Sequence, residues 1–398
     1  MAITGTSTLT NSIRAQYVSA YLEAAAAMRV YDQFAAPVAK DMANISKGSS
    51  IVVPFLSALP PSTQVIPETG DILTTQFVDA TATVTPTSRT NAILFSEKLE
   101  DQVFTDFTQR AFSAIGQNMM WSIDLLAKTA ALTGTLTKSA NVRASLDAGT
   151  PTHNITKKAF ANASVILQAM KVPMFSTPTG GKWLSLMHPF AFSDLFSDAV
   201  ILAVGEYSQP NVILNYELGE LNGFKIVVTP WAKVFWNAGV VNASSVATTL
   251  NGDTNPMATT IVVTANTNIV AGMRLGIGTV ETANTHYDNN ESCIVAATPG
   301  GTTVTIIGEG DNGGLRFPHT SGDTVKNADS VYPVAFGGPE SMAKVFDPAV
   351  GEYGEIIGPR PQGLADQFTS LAWKWYGAYA IIAQNRILRS EFSSLMDA

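Results

Sequence analysis

The feature that most constrains the fold of this chain is one very long segment with helical periodicity, residues 97–133. Ser96 precedes it as a candidate N-cap, and Gly134 follows it as a candidate terminator. Its apolar side chains recur at steps of three and four residues, which aligns them on one face of an α-helix: Leu99, Val103, Phe107, Phe112, Ile115, Met119, Ile123, Leu126 and Ala130. Such a helix would be about 55 Å long, several times the usual length. The sequence therefore predicts a helical spine on which other elements pack.

Two extended segments, joined by a stretch rich in turn residues, precede this helix. Residues 49–59 are apolar and β-prone, and residues 77–85 alternate between apolar and polar side chains. Pro67 and Gly70 lie between them, so the pattern predicts a long hairpin-like loop. Because too few large side chains converge here to form a core, we expect the loop to lie on a partner surface.

The sequence on either side of the loop and the spine also predicts secondary structure. The Ser- and Thr-rich residues 1–12 predict a flexible arm, and residues 12–36 predict a helix that Ser12 caps and Pro37 ends. Residues 150–234 predict an α/β unit. Its predicted elements are a helix at 156–172, a strand at 182–187, a short helix at 190–198 and a strand at 224–228.

The composition changes at Gly239, and helical periodicity is absent from there to residue 330. Residues 239–330 are rich in Thr, Asn, Gly and Asp, and short β-type runs occur at 259–264 and 304–307. A Pro299-Gly300-Gly301 turn predicts a hairpin. The region has eight acidic and three basic residues, so it carries a net charge of −5. We predict a separate all-β domain, inserted into the α/β unit and facing solvent.

The C-terminal part of the chain returns to an apolar pattern. Residues 331–337 predict a strand, and Gly358-Pro359-Arg360-Pro361 predicts a linker. Residues 368–392 form an aromatic and aliphatic run in which Trp373 and Trp375 would share one face of a strand. This spacing favours a core or interface seam over stacking on sugars or bases.

Charged residues make up only 14% of the chain, against roughly 25% in an ordinary soluble domain. This deficit indicates that other subunits cover much of the surface. A net charge of −8 argues against wrapping nucleic acid through a basic face. The single cysteine, Cys293, excludes an intrachain disulfide and is expected to be a small apolar strand residue. A secretory signal and a membrane-length apolar run are both absent from the sequence, so we expect synthesis in a bacterial cytoplasm.

The sequence predicts a protein that is not an enzyme, with no catalytic, cofactor-binding or metal-binding residue. Nucleophile-elbow and P-loop motifs are absent, and Gly276-Ile277-Gly278 lacks the third glycine of a dinucleotide site. The four histidines, His153, His188, His286 and His319, lack metal-ligand spacing, and His188 is expected to be a turn residue. The acidic stretches 288–291 and 309–312 offer oxygens for Ca²⁺, but such Asn-rich loops are more typical of solvated turns.

The order of these parts, together with five short motifs, resembles a known family. The motifs are Arg14-Ala15-Gln16-Tyr17, Ile66-Pro67-Glu68-Thr69-Gly70, Met187-His188-Pro189-Phe190, Gly219-Glu220-Leu221-Asn222-Gly223 and Ala372-Trp373-Lys374-Trp375-Tyr376-Gly377. With the order of arm, loop, spine, α/β unit and C-terminal strand, they resemble the major capsid proteins of tailed bacteriophages, and most closely the N4-like podovirus branch. The resemblance covers nearly the whole chain except residues 239–330.

The resemblance implies an α+β fold of the Hong Kong 97 type, in which each part of the chain has a place. In order, these parts are an N-terminal arm with helix (1–48), an extended loop (49–95), a peripheral domain with spine helix (96–149), the first part of an axial domain (150–238), an inserted all-β domain (239–330), the second part of the axial domain (331–362) and a C-terminal strand of the peripheral domain (363–398).

The resemblance also implies a function, namely self-assembly through pentamers and hexamers into the icosahedral head shell of a virion. The shell would enclose double-stranded DNA and form in the host cytoplasm, away from any membrane. Implied partners are further copies of the chain, a separate scaffolding protein, a portal protein at one vertex and a decoration protein. Crosslinked members of the fold use a lysine on the extended loop. Residues 48–88 contain no lysine, so we expect a noncovalent shell.

Two other functions are compatible with parts of the sequence. An encapsulin-like nanocompartment shares the fold but encloses protein cargo. A phage surface or fibre protein would use residues 239–330 to bind glycans. This second alternative leaves the long loop and the spine helix unexplained.

Overall fold

A computed structural model gives the structure of this protein. The structure describes residues 30–38, 50–56, 59, 61–62, 65, 74, 76, 79–102, 107–139, 142–176, 181–198, 219–241, 246–279, 281, 289–310, 312–363 and 367–397. The chain divides into two compact units. The first unit comprises Met1–Ala130 and Glu340–Ala383, and the second comprises Ala131–Pro339 and Gln384–Ala398.

The described elements are mostly strands. In chain order they are β1 Ala35–Val38, β2 Ile51–Leu56, β3 Asp79–Val84, β4 Thr87–Ser96, β5 Trp183–Met187, β6 Glu220–Leu221, β7 Phe224–Val228, β8 Ala247–Thr249, β9 Thr260–Val262, β10 Arg274–Ile277, β11 Glu291–Val295, β12 Thr303–Gly308, β13 Thr324–Lys326, β14 Tyr332–Gly337, β15 Met342–Phe346, β16 Glu355–Gln362, β17 Phe368–Ile381 and β18 Ile387–Phe392. The α-helices are α1 Glu97–Gln102, α2 Phe107–Leu132, α3 Lys157–Ala169 and α4 Pro189–Phe196.

The first unit is organised around β17, the longest of these strands. β4 runs antiparallel to it and pairs with residues 368–377. β16 pairs with residues 368–374, and β15 pairs with residues 377–381. β17 therefore hydrogen-bonds to three strands, of which β4 lies far away in the sequence.

One face of β17 packs on helix α2. Alternation along the strand points Leu371, Trp373 and Trp375 to the same side, where all three are buried. They form one core with apolar side chains of α2, namely Ala111, Phe112, Ile115, Met119, Met120 and Ile123. The apolar stripe that predicts a spine helix thus covers the sheet, and the predicted shared face of the two tryptophans is confirmed.

Both indole N–H groups in this core have acceptors, as burial requires. Trp373 Nε1 donates to Asn118 Oδ1 at 2.9 Å, and Trp375 Nε1 donates to the carbonyl of Glu352 at 3.2 Å. Lys374 points to the other face and forms an exposed ion pair with Glu355 at 3.3 Å. Neighbouring residues of one strand therefore have opposite environments.

Residues 30–38 add a 3₁₀ turn and one strand to the first unit. A 3₁₀ helix at Tyr31–Phe34 leads into β1, which pairs parallel to β15. Asp124 of α2 accepts hydrogen bonds from the backbone N–H groups of Val30 and Tyr31 at 3.0 and 2.9 Å. Burial raises the pKa of the Asp124 carboxyl to about 6, although these N–H groups oppose the shift.

The second unit contains a mixed sheet in the order β18-β14-β5-β7-β6. Phe160 of α3, Phe224 of β7 and Phe336 of β14 meet edge to face in its core, with ring centroids 5.0–5.8 Å apart. The predicted elements at 156–172, 182–187, 190–198 and 224–228 are confirmed as α3, β5, α4 and β7, with small shifts of their ends.

Residues 247–326 form a second sheet in this unit, in the order β8-β13-β10-β11-β12-β9, and every pairing in it is antiparallel. Its core consists of aliphatic side chains with Cys293, which agrees with the predicted apolar role of this cysteine. β11 and β12 form the hairpin predicted from Pro299-Gly300-Gly301. The absence of helical periodicity thus correctly predicts an all-β region.

The helix predicted over 97–133 is helical where the structure describes it, as α1 and as α2, which ends at Leu132; residues 103–106 lie outside the described part. The helix predicted for 12–36 is wrong at its end, because residues 31–34 are 3₁₀ and residues 35–38 are strand β1. Here pairing with β15 and the Asp124 contact override local helical periodicity. Residues 1–29, including the predicted arm, lie outside the described residues.

The predicted boundaries after residue 330 are also wrong. Residues 331–362 were expected in one domain, but β14 joins the second unit, whereas β15 and β16 pair with β17 in the first. Residues 363–398 divide as well, because β18 pairs with β14 rather than with β17. Gly358-Pro359-Arg360-Pro361, predicted as a linker, lies within β16. A short apolar strand carries no local signal for the sheet that it joins. The boundaries between the two units after residue 330 therefore depend on strand pairing.

Among the described residues, no helix combines the length and the apolar character needed to cross a membrane.

We expect Trp375→Ala to lower the free energy of unfolding by about 3–5 kcal/mol, because it leaves a cavity between β17 and α2. The matched neighbour, Lys374→Ala, is expected to change it by less than about 0.5 kcal/mol, because its ion pair is exposed. Urea unfolding of the soluble chain, followed by far-UV circular dichroism, measures both values. Equal effects from the two variants would contradict this packing.

The raised pKa of Asp124 predicts a pH dependence of stability. Between about pH 4 and pH 6 the folded protein holds the proton more tightly than the unfolded chain, so this residue lowers the free energy of unfolding as pH rises through that window. Asp124→Asn keeps an acceptor oxygen and removes the titration. We expect the loss of stability between about pH 4 and pH 7 to be smaller in the variant, by up to about 3 kcal/mol. Identical pH profiles for the variant and the parent chain would refute the assignment.

Candidate assembly surfaces

The hairpin of β2 and β3 is anchored at its base, where one face is buried and the other is exposed. Its backbone register runs from Ile51 opposite Val84 to Leu56 opposite Asp79. Ile51 and Val84 are buried against residues of β15, whereas Val52 on the alternate face is exposed. A two-stranded ribbon is marginally stable by itself, so this hairpin is suited to lie on another surface. The paired strands confirm the predicted hairpin.

Most of the connection between these strands, residues 57–78, lies outside the described part, including the Ile66–Gly70 motif. Two described positions in it carry apolar side chains, and both are exposed: Leu59 at 46% and Val65 at 89%. Exposed aliphatic side chains on such a loop are candidates for contact with another subunit.

The face of the β17 sheet opposite α2 is a second candidate surface. Residues that alternate with the buried tryptophans lie there, together with their partners on β4, and the cross-strand pairs are Ser370–Leu94, Ala372–Ala92, Lys374–Thr90 and Tyr376–Ser88. The β4 members of these pairs are all exposed, and Leu94 is 61% exposed. A sheet with one buried and one open face is a suitable surface for a neighbouring chain.

The buried cation of Lys344 in the first unit is paired with carboxylates of the same unit. Lys344 of β15 is 1% exposed, and its Nζ lies 3.2 Å from both Asp32 Oδ1 and Glu352 Oε1. It also lies 3.8 Å from the centre of the Tyr353 ring, and the Tyr379 hydroxyl donates to Asp32 Oδ1 at 2.7 Å. Burial lowers the pKa of Lys344, and the two carboxylates oppose the shift. The cluster ties β1, β15 and β17 together.

In the second unit, the side chain of Asn237, in the segment after β7, packs directly on Gly276 of the six-stranded sheet. A Cβ at Gly276 would lie 1.9 Å from Asn237 Nδ2, so any larger residue there must displace the Asn237 side chain. The Asn237 amide donates to the Lys326 carbonyl of β13 at 2.7 Å. Close packing against an asparagine side chain therefore explains the glycines at positions 276 and 278, and a dinucleotide-binding role is not needed to explain them.

His188, predicted to be a turn residue, is the N-cap of helix α4. Its Nδ1 accepts the Phe190 N–H at 3.2 Å at the start of α4. Burial lowers the pKa of His188 to about 4, with a contribution from Arg274, so the ring is neutral and able to accept near neutral pH. His153 likewise accepts the Asp147 N–H at 3.1 Å, and His286 lies outside the described residues.

The acidic loops considered for Ca²⁺ are partly described, because Asp288 and Asp311 lie outside the described residues. The Glu291 carboxylate accepts the backbone N–H groups of Arg316 and Phe317 at 2.7 and 2.9 Å and contacts His319 Nε2 at 2.9 Å. Its oxygens thus hold the chain after β12 in place. Within the part of the chain that the structure describes, no three His, Cys, Asp or Glu side chains are grouped to hold a metal ion.

Cys293 is an inert core residue of the six-stranded sheet. Burial raises the pKa of its thiol to about 12, and the nearby carboxylates of Glu291 and Glu309 add to the shift. A thiol that stays protonated is a poor nucleophile and a poor metal ligand.

Sequence reasoning missed the buried charges, Asp124 and Lys344. Lys344 interrupts the apolar strand Met342–Phe346, and this is a local signal for a buried cation. Asp124 lies one position from the apolar stripe of α2 and carries no comparable signal.

The sequence matches no profile of a protein family and no curated protein. Its structure does match solved structures. It resembles the capsid of cyanophage P-SCSP1u with a TM-score of 0.54 at 10% identity, over 91% of this chain and 87% of that chain. It resembles the capsid of Ralstonia phage GP4 with a TM-score of 0.54 at 9% identity, over 92% and 88%. For the capsid asymmetric unit of cyanophage Pam1 the TM-score is 0.52 at 12% identity, over 94% and 92%. The chain therefore has the mixed α+β fold of phage capsid proteins.

The Gly276 contact gives a testable prediction about the second unit. Gly276→Ala should displace Asn237 and lower the free energy of unfolding by about 1–3 kcal/mol. Gly301→Ala is the matched control, because a Cβ there has nothing within 4 Å, and its effect should stay below about 0.5 kcal/mol. Urea unfolding of both variants measures the difference, and a neutral Gly276→Ala would contradict the close approach.

Proposed function

We propose that this chain is the major capsid protein of a tailed bacteriophage, which assembles through pentamers and hexamers into the icosahedral head shell around double-stranded DNA. The observation that carries the proposal is the likeness in fold to three phage capsid structures, which extends over at least 91% of this chain. A likeness over nearly the whole length includes both compact units, so it supports one role for the chain as a whole.

The proposed domains of the capsid subunit follow the two compact units of the structure. The first unit, with α2 on the β17 sheet, corresponds to the peripheral domain of the Hong Kong 97-type fold. The mixed sheet of the second unit corresponds to the axial domain, whose copies meet at the five- and six-fold axes. The sheet of residues 247–326 is the inserted domain, and the β2–β3 hairpin with its connection is the extended loop.

The two exposed surfaces of the first unit support assembly. The hairpin offers apolar side chains on a two-stranded ribbon, and the open face of the β17 sheet offers a surface for a neighbour. Each contact is small, but every subunit repeats it around the shell. Weak contacts permit correction of errors during growth, and multivalency makes the closed shell stable.

The proposed partners follow from charge and from the resemblance. With a net charge of −8, the shell encloses DNA without binding it through a basic face. A scaffolding protein guides assembly, a portal protein occupies one vertex and a decoration protein is a further partner. The chain is located in the virion after assembly in the host cytoplasm. We also propose that it belongs to the N4-like podovirus branch, that its shell is noncovalent and that it has no enzymatic activity.

Replacing residues 57–78 by a two-residue Asn-Gly turn tests the role of the loop. Leu56 and Asp79 are direct partners, so such a turn joins β2 to β3 without changing their register. We expect the variant to remain folded, with the unfolding midpoint of the parent chain, and to give about tenfold fewer closed shells or none. Electron microscopy counts the shells.

The control for this experiment is Gly301→Ala, which alters an exposed turn and should leave both folding and shell yield unchanged. Closed particles from the shortened loop at the yield of the parent chain would rule out the proposed assembly role of residues 57–78.

A further inference from the structure

The second unit contains a cleft of about 480 Å³ between the six-stranded sheet and the segments around α4 and after β7. Its volume lies within the range of about 300–1,000 Å³ that is typical of small-ligand sites. The assembly surfaces described above belong to the first unit and make no use of this cleft.

The floor of the cleft is the face of the sheet that points away from its apolar core. Arg274, Ile294 and Ile307 lie side by side across β10, β11 and β12, as the strand register shows. Ile294 and Ile307 are exposed, although their neighbours in sequence are buried in the core. The next row of the floor carries Ser292 and Glu309, whose Oγ and Oε1 atoms lie 3.3 Å apart. Apolar and polar groups therefore lie side by side.

The opposite wall carries aromatic rings, and two cation–π contacts connect it to the sheet side. The Arg274 guanidinium lies 5.2 Å from the centre of the Phe190 ring, and the Arg316 guanidinium lies 4.9 Å from the Trp231 ring. The close approach of Asn237 to Gly276 fixes the wall beside the sheet. The rings and strands that line the cleft are thus held in place before any ligand enters.

The polar groups of the cleft restrict the chemistry of a ligand. Arginine only donates hydrogen bonds, an ionised glutamate only accepts them, and a serine hydroxyl does both. The Arg316 guanidinium already pairs with Glu309, through the Oε2 atom at 3.6 Å and the backbone carbonyl at 3.1 Å, whereas Arg274 lies 3.5 Å from Asp397. A ligand that bonds to Arg274, Ser292 and Glu309 needs groups that donate and accept, together with an apolar face for the Trp231 ring and the two isoleucines.

Hydroxyl groups around a ring with C–H faces meet all of these requirements. We propose that this cleft is a binding site for a short saccharide, which packs its C–H face on Trp231 and the Ile294–Ile307 pair and bonds through its hydroxyls to Arg274, Ser292 and Glu309. Strands β10 and β12 are about 10 Å apart, two inter-strand spacings, so the floor suits a few sugar rings. This ligand site is additional to the shell function proposed above and does not depend on it.

The test uses the full chain, as soluble protein or as assembled particles, on an array of neutral and acidic glycans of one to three rings. The glycan with the strongest signal is then titrated by calorimetry. We expect a dissociation constant of about 1 mM or tighter. Trp231→Ala and the isosteric Glu309→Gln should each weaken binding about tenfold or more. The first removes the stacking face, and the second replaces a charged acceptor oxygen by an amide donor.

The matched control is Val262→Ser, an exposed apolar position of the same sheet outside the cleft lining, which should bind within about twofold of the parent chain. Unfolding midpoints establish that each variant is folded. If Trp231→Ala does not fold, Glu309→Gln still tests the proposal. The proposal is overturned by an array without binding, by variants that bind as the parent does, or by polypeptide from another subunit in the cleft of a particle reconstruction. Shell assembly is scored separately, so either proposal can fail without the other.

Discussion

The first unit depends on one contact, the packing of Trp373 and Trp375 of β17 against the apolar stripe of α2. This contact buries one face of the strand and leaves its edges free to pair with β4, β15 and β16. β15 in turn holds β1 and the buried Lys344 cluster, and its Ala343 and Val345 support the base of the β2–β3 hairpin. The β2–β3 hairpin, which is proposed to reach a neighbouring subunit, therefore depends on the core that α2 and β17 form.

The first unit also offers surfaces of the kind that assembly requires. The helix covers one face of the β17 sheet. On the other face, the part where β4 pairs with β17, including Leu94, stays exposed. The low charge of the chain fits such a surface, because a protein that is covered by its neighbours needs fewer charged side chains for solubility. In the second unit, the six-stranded sheet carries much of the acidity, and its cleft adds a ligand site to a chain whose proposed role is structural.

How far the sequence predicts this structure depends on the range of the interactions. Periodicity predicts the stripe of α2, the turn between β5 and α4, the β11–β12 hairpin and the shared face of Trp373 and Trp375, because each is set by neighbouring residues. It does not predict that β15 and β16 join β17 while β14 and β18 join another sheet, because apolar periodicity carries no signal for the pairing partner of a strand. The helix predicted up to residue 36 fails for the same reason, since Asp124 and β15 hold that segment. Of the candidate sites, Cys293 as a core residue follows from sequence, whereas the cap made by His188 and the cleft are seen only in the fold.

The most direct test of the central claim is electron microscopy of the full chain, co-expressed with the genes that neighbour its own gene. The account predicts closed shells, or rings of five and six subunits, and shells from infected cells that contain double-stranded DNA. A chain that stays monomeric at every concentration in this co-expression would contradict the account, and so would shells that enclose a protein cargo in place of DNA.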